Sequence, residues 1–133
     1  MPIDPNRPCI YPVLRYADAD AAVTHLADAF GFVPGEMTRD DGGRIVHATL
    51  TWAHGMVMLA ESRGDGSPFD LGPVCLYVVV DDPDAHNERA RAAGVEMVME
   101  PTDQPYGSRE YAARDPEGNV WCFGTYQPAP VTA

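Results

Sequence analysis

Apolar and polar residues follow the same order twice along this chain. An apolar run within Cys9 to Ala22 passes through aspartates into an alanine-rich segment that ends at Gly31. Pro73 to His86 repeats this plan with an apolar run and an Asp-Asp-Pro-Asp segment, and the second helix-like segment ends at Gly94. A pattern that recurs at a fixed spacing predicts a tandem of one structural unit.

The spacing between the two halves changes by one residue along the chain. Tyr11 aligns with Cys75, an offset of 75 minus 11, or 64 residues, whereas Gly55 aligns with Gly118 at an offset of 63. We interpret the difference as a loop insertion or deletion. Each half then predicts a strand, a helix, a turn-bearing strand pair and a final strand.

These elements predict one α+β domain over residues 1–133, made of two tandem βαβββ modules whose curved mixed sheets surround a cleft. The modules cover about 9–61 and 74–126. Residues 62–73, rich in Gly, Ser and Pro, are the predicted linker.

Aspartates stand at the predicted helix starts, where their side chains cap free backbone N–H groups, and a glycine stands at each predicted helix end. The N-cap candidates are Asp18 or Asp20 for the first helix and Asp82 or Asp84 for the second. The predicted buried stripe of the first helix is Val23, Leu26, Ala27 and Phe30.

Side chains of the strand around His47 alternate between two faces. Its apolar face, suited to the helix, is predicted to hold Val46, Ala48 and Leu50; the opposite face holds His47, Thr49 and Thr51.

The chain has three cysteines, Cys9, Cys75 and Cys122, far apart and without CxxC spacing. This number and spacing indicate neither a disulfide framework nor a zinc ribbon, so we expect buried free thiols.

The chain carries 9 basic and 20 acidic residues, for a formal charge of −11. Without a Lys/Arg cluster, nucleic acid is not an expected partner. The acidic surface serves solubility or attracts a cationic ligand. The apolar stretch around Val74 to Val80 is far shorter than the roughly 20 residues that span a bilayer, and no signal region stands at the N-terminus, so we expect a cytoplasmic protein without a membrane partner.

The segment YGSREYAARDPEGNVWCFGTY, Tyr106 to Tyr126, resembles the "G-x-R, then D-P-x-G-N" ending of the vicinal oxygen chelate superfamily, which includes glyoxalase I, bleomycin resistance proteins and extradiol dioxygenases. Ala27 to Phe32 and His47 to Glu61 resemble the partner half. The resemblance covers about Cys9 to Tyr126 and implies the fold more strongly than the function.

Metal-dependent members of that family place His or Gln, Glu, His and Glu on inner strands. The resemblance matches these positions to Tyr11, Leu59, Cys75 and Cys122, of which Leu59 cannot bind a metal. The others are not the oxygen- and imidazole-rich set of a catalytic ion. We therefore expect no metal and no cofactor. A displaced thiolate site using Cys75, Cys122 and His47 remains an alternative.

The repeat and the resemblance together place a set of side chains toward the cleft. The candidate ligand-binding residues are Tyr11, Arg15, His47, Thr49, Trp52, Leu59, Glu61, Cys75, Tyr77, Glu110 and Cys122. Several have structural alternatives. His47 could be a solvated strand histidine, Trp52 could face either side, and Arg15 could form a structural ion pair with Glu61 or Glu110. Trp121 and Phe123 are expected in the core, and Met56 and Met58 are expected to pack against the first helix.

The leading hypothesis is a metal-independent protein of the bleomycin-resistance or glyoxalase-like type that binds an antibiotic or metabolite, a cationic or aromatic small molecule. The resemblance also implies a homodimer. The alternative is an isomerase, lyase or dioxygenase of the same superfamily that uses cleft residues or a non-standard metal site. If the protein is an enzyme that works without a metal, His47 or Glu110 would act as general base, and Arg15 or Tyr77 would stabilise an oxyanion.

Overall fold

The computed structural model describes residues 2–131 as two compact units that divide between Gly72 and Pro73. The first module contains β1 (Val13–Tyr16), α1 (Ala19–Phe30), β2 (Val33–Arg39), β3 (Ile45–Trp52) and β4 (Gly55–Glu61). The second contains β5 (Cys75–Val79), α2 (Pro83–Ala92), β6 (Glu96–Asp103), β7 (Arg109–Arg114) and β8 (Val120–Gly124). The predicted α+β class and the tandem βαβββ modules are confirmed.

Each module has a four-stranded mixed sheet, with the order β1-β4-β3-β2 in the first and β5-β8-β7-β6 in the second. The first and last strands of each module pair in parallel, and the other neighbours are antiparallel. The helix of each module packs on one face of its own sheet. The opposite face of each sheet, called its open face below, carries most of the candidate residues.

Both helices begin at a predicted aspartate. Asp18 accepts a hydrogen bond from the backbone N–H of Ala21, and Asp82 accepts one from Ala85. These bonds satisfy one free donor in each first turn. Helix α1 ends at Gly31 in the left-handed conformation, as its position in the sequence predicts.

The core of the first module lies between α1 and its sheet. Val23, Leu26 and Phe30 are buried as predicted, whereas Ala27 is only half-buried. The prediction that Val46 faces the helix is wrong, because β3 has a register shift between its pairs with Thr38 and Arg39. The extra residue exposes Val46 and buries Ile45 instead.

The core of the second module contains the aromatic side chains of β7 and β8. Trp121 and Phe123 are fully buried, as predicted. Phe123 stacks on Tyr111, with ring centroids 5.1 Å apart, and lies 4.3 Å from the ring of His86 on α2. The Tyr111 hydroxyl lies 2.5 Å from Nδ1 of His86, so each of these two buried polar groups has the other as a hydrogen-bond partner.

The turn between β7 and β8 explains why the Asp-Pro-Glu-Gly-Asn segment has its composition. Asp115 is buried, and its carboxylate accepts hydrogen bonds from the backbone N–H groups of Glu117 and Asn119, from the Asn119 amide and from Trp121 Nε1. Asn119 in turn accepts a hydrogen bond from the backbone of Val74. The motif that carries the family resemblance is therefore a structural connection in this chain.

No helix within residues 2–131 is long and apolar enough to cross a membrane. All three cysteines are free, but the prediction that they are buried is wrong. Cys9 and Cys75 are exposed, and Cys122 is half-buried.

Candidate functional site

The open face of the second sheet brings together four of the candidate residues. In the strand register Tyr77 of β5 lies beside Cys122 of β8, and Glu110 of β7 lies beside Gly124. Cys75 precedes Tyr77 by two residues and therefore points to the same side. The predicted common face of Cys75, Tyr77, Glu110 and Cys122 is confirmed, and their role in ligand binding stays a prediction.

A cavity of about 520 Å³ opens on this face. Three tyrosine rings form its walls, and one proline and one glutamate complete the lining. These residues are Tyr77, Tyr106, Tyr126, Pro128 and Glu110. We call this group of five residues the tyrosine pocket.

Two tyrosine rings of the pocket are fixed by backbone hydrogen bonds. The chain continues past β8, and the backbone N–H of Tyr126 donates to the buried hydroxyl of Ser108 at 3.0 Å. The hydroxyl of Tyr77 donates to the carbonyl oxygen of Tyr126 at 2.7 Å. Because both backbone groups of Tyr126 are held, its ring is positioned without a side-chain bond of its own.

Glu110 supplies the carboxylate of the tyrosine pocket. It is only 6% exposed, and its Oε1 accepts a hydrogen bond of 2.8 Å from the hydroxyl of Tyr106. That bond to a carboxylate is the main reason why the pKa of Tyr106 is raised to about 12. The ring of Tyr106 meets Tyr126 edge to face, with centroids 6.0 Å apart.

Gly124 lies directly against two residues of the tyrosine pocket, Glu110 and Tyr77. A Cβ atom there would lie 2.6 Å from Cγ of Glu110 and 2.6 Å from the hydroxyl oxygen of Tyr77. Non-bonded atoms do not approach that closely, so only glycine at position 124 allows the side chains of Glu110 and Tyr77 to lie over β8 as they do.

Sequence reasoning missed Tyr106, Tyr126, Ser108 and Pro128. A signal for Tyr126 was present, because it continues the alternation of Cys122 and Gly124 beyond the end of β8. Tyr106 lies in the turn between β6 and β7, where Gly107 donates to the carbonyl of Gln104 and no alternation applies.

The open face of the first sheet contains fewer of the candidates than predicted. Thr49 of β3 pairs with Met58, which pairs with Val13 of β1. His47 and Arg15 follow by alternation on the same strands, and both are half-buried. His47, Thr49 and Arg15 therefore share the predicted face. Met58 also lies there, so the prediction that Met56 and Met58 pack on α1 is wrong.

Leu59 and Glu61 lie on the other side of the first sheet, contrary to the prediction, and Trp52, for which either side was expected, lies there as well. Leu59 is 1% exposed and pairs with the buried residues Ala48 and Leu14 in the core. Glu61 shares its parity and forms an ion pair of 3.2 Å with Arg44. Trp52 packs against the ring of Phe32, with centroids 6.0 Å apart.

The error in β4 has a physical cause. Ala48 of β3 corresponds to Tyr111 of β7 at an offset of 63, whereas Leu59 of β4 corresponds to Phe123 of β8 at an offset of 64. Aligning the turn glycines keeps the offset at 63 and assigns every residue of β4 to the opposite face. The residue equivalent to Cys122 is therefore Met58.

Arg15 belongs to a different local structure. Its guanidinium pairs with Asp70 at 3.3 Å and lies 6.0 Å from the centroid of the Phe69 ring. Asp70 also accepts hydrogen bonds from the backbone N–H groups of Arg63 and Gly64. The predicted ion pair of Arg15 with Glu61 or Glu110 is wrong, and Arg15 instead holds the segment that follows β4.

The residues at the family's metal positions do not fit a catalytic divalent ion. Leu59 is in the core, and the hydroxyl of Tyr11, which precedes β1, donates to the carbonyl oxygen of Pro8. Burial raises the pKa of the Cys122 thiol to about 11, which disfavours the thiolate that a metal needs. Over residues 2–131 no group of three or more His, Cys, Asp or Glu side chains is placed to hold an ion.

Comparisons with known proteins agree with the fold. A family model described as Glyoxalase/Bleomycin resistance protein/Dioxygenase superfamily matches residues 10–123. An uncharacterized protein of Mycobacterium tuberculosis is 33% identical over 127 residues, which cover 88% of this chain and 74% of that protein.

Two solved structures show the same architecture. TioX from Micromonospora sp. ML1 is 34% identical with a TM-score of 0.72, covering 87% of this chain and 98% of that one. Lactoylglutathione lyase from Agrobacterium tumefaciens is 25% identical with a TM-score of 0.65, covering 91% of this chain and 95% of that one. The chain therefore belongs to the glyoxalase/bleomycin resistance protein/dioxygenase superfamily.

Proposed function

We propose that this protein binds a small organic molecule, an antibiotic or a metabolite, in the tyrosine pocket and does so without a metal ion. The observation that carries the proposal is the cavity of about 520 Å³ between three tyrosine rings and the buried carboxylate of Glu110. Drug-sized ligands occupy cavities of about 300 to 1,000 Å³ that combine apolar walls with a few polar groups.

The way in which the pocket is built supports binding. Hydrogen bonds fix Tyr77, Tyr126 and Glu110 before any ligand arrives, so a ligand loses little free energy in ordering them. Superfamily membership adds the fold but not the activity, because one fold carries many functions.

Metal independence is part of the proposal because of the donor set. Leu59 is buried in the core, and Met58, which is the residue of the first module equivalent to Cys122, offers only a thioether. The last strand of the first module therefore has no hard metal ligand at this position. Binding by aromatic contact and hydrogen bonds needs no Lewis acid.

The test is native mass spectrometry of freshly purified protein, with metal analysis of the same sample. We expect an organic molecule that stays bound to the protein and whose mass is the same after release as in the complex. We expect less than about 0.1 equivalent of divalent metal per chain. The same spectrum counts subunits and tests the homodimer that the family resemblance predicts. Retention of the molecule only together with stoichiometric metal would contradict the proposal.

The matched variants are Gly124→Ala and Gly42→Ala. An added methyl group at Gly124 displaces Tyr77 and Glu110, so the bound molecule should be lost. At Gly42, in the turn between β2 and β3, the nearest atom to an added Cβ lies 3.4 Å away, so the molecule should be retained. Equal retention by both variants would place the binding site outside the tyrosine pocket.

A further inference from the structure

Glu110 is a buried carboxylate without a cation. Acidic side chains are rarely this buried unless they are paired. Over the described residues 2–131, no Arg or His nitrogen lies within 4.0 Å of Glu110, and its hydrogen-bond partner is the phenol of Tyr106. The sequence contains no lysine, so no ammonium side chain of this chain can pair with Glu110.

The arginine next to Glu110 in the chain does not compensate its charge. Arg109 points to the opposite side of β7, where it pairs with Asp84 of α2 at 3.0 Å and with Asp103 of β6 at 3.1 Å. Arg114, on the same strand, pairs with Glu96. The positive groups of β7 are thus occupied by other carboxylates.

The rings around Glu110 suit a positive charge. Tyr77, Tyr106 and Tyr126 are each 40 to 59% exposed on the same cavity, so their faces and edges are available to a ligand. Aromatic faces attract cations, and a nearby carboxylate adds a full negative charge in a partly dehydrated space.

We infer that the tyrosine pocket selects an organic cation, a protonated amine or a quaternary ammonium group, whose charge lies against Glu110 between the tyrosine rings. The inference rests on the proposed function and adds the chemical class of the ligand. A metal ion is not the occupant that this geometry favours, because three of the polar groups are phenols and Glu110 is the one carboxylate in the lining.

The test compares two probes of equal shape and different charge. Choline carries a quaternary ammonium group, and 3,3-dimethylbutan-1-ol is its neutral isostere. Isothermal titration of the full chain at low salt should show choline binding at least about tenfold more tightly than the alcohol. Equal affinity of the two probes, or binding of neither, would overturn the inference.

Variants assign the preference to its source. Glu110→Gln keeps the shape of the side chain and should reduce the affinity ratio of the probes to about one. Glu36→Gln removes the same charge from exposed β2 and should leave the ratio unchanged. If Glu36→Gln lowers the ratio as much as Glu110→Gln, the preference comes from net charge and the inference is wrong.

A second variant keeps the test valid if Glu110→Gln unfolds. Tyr126→Leu removes one ring while the backbone bonds to Ser108 and Tyr77 are kept, and it should weaken choline binding about threefold or more. If it weakens both probes equally while choline shows no advantage, the pocket binds ligands without selecting charge, and the proposed function stands alone. If neither probe is affected, binding occurs outside the pocket and both proposals fail.

Discussion

The two modules share one topology but differ in the hairpin between their third and fourth strands. In the first module Trp52 pairs with Gly55 across two residues, one of which, Ala53, has a positive φ of 50°. In the second, the N–H of Asp115 bonds the carbonyl of Asn119 across three residues. One additional residue changes the offset between the modules and with it the face of the final strand.

The open faces differ in charge as well. The first module neutralises its charged residue, because Arg15 pairs with Asp70 and lies against Phe69. The second leaves Glu110 unpaired beside a cavity. The same fold thus uses one charge to hold a loop and leaves the other without a cation beside a cavity, which is why we propose binding in the second module.

The largest expected effect concerns the longer hairpin. Asp115→Ala would leave the Asn119 and Trp121 donors without their buried acceptor, and we expect a loss of about 4 kcal/mol in the free energy of unfolding. The measurement is urea denaturation followed by circular dichroism. His54→Ala, in the exposed turn of the first module, is the control and should change stability by less than about 0.5 kcal/mol. Comparable losses of unfolding free energy in Asp115→Ala and His54→Ala would mean that the two turns contribute equally to stability.

Adjacent residues of β4 test which face is buried. Leu59→Ala should cost about 3 kcal/mol of stability, because it leaves a cavity in the core of the first module. Met58→Ala, on the open face, should cost about 1 kcal/mol or less. Thermal and urea unfolding of the two variants would decide the point. The reverse order would restore the offset of 63 and contradict the corrected register.

The smallest expected effect concerns Cys122, which stands where the first module has Met58. Burial, with smaller contributions from Glu110 and Cys75, raises the pKa of its thiol to about 11. Because the thiolate is the nucleophile, a pKa of about 11 in place of the ordinary 9 leaves about hundredfold less reactive species at pH 8. Alkylation by iodoacetamide should therefore accelerate about tenfold per pH unit up to pH 11.

The measurement uses variants in which Cys122 is the sole cysteine, compared with variants that keep only the exposed Cys75. Mass spectrometry gives both rates across pH 7 to 11. A rate for Cys122 that levels off below pH 9 would show that its thiol ionises normally and that the face around Glu110 is more hydrated than the structure indicates.

The sequence predicts those parts of the molecule in which the alternation of side chains is unambiguous. In β8 the large residues Trp121 and Phe123 occupy one parity and Cys122 and Gly124 the other, so the buried face is clear. The aspartate caps are equally local. From these features the sequence predicts the two modules, both helices and the four residues on the open face of the second sheet, Cys75, Tyr77, Glu110 and Cys122.

The rest depends on distances that alternation does not encode. Both faces of β4 are apolar, so its orientation follows from the length of a turn and not from its own residues. The partner of Arg15, Asp70, lies 55 positions away in an irregular segment. Tyr106 reaches Glu110 from a turn, where side chains have no periodic direction.

The positions of the two tryptophans give the protein a built-in spectroscopic label for each half. Trp52 is half-buried beside Phe32 in the first module, whereas Trp121 is fully buried and donates to Asp115 in the second. Their indole emission will therefore differ in wavelength and in quenching. Replacing either one by phenylalanine leaves a single tryptophan, so the unfolding of each half can be recorded separately in the intact chain from indole emission.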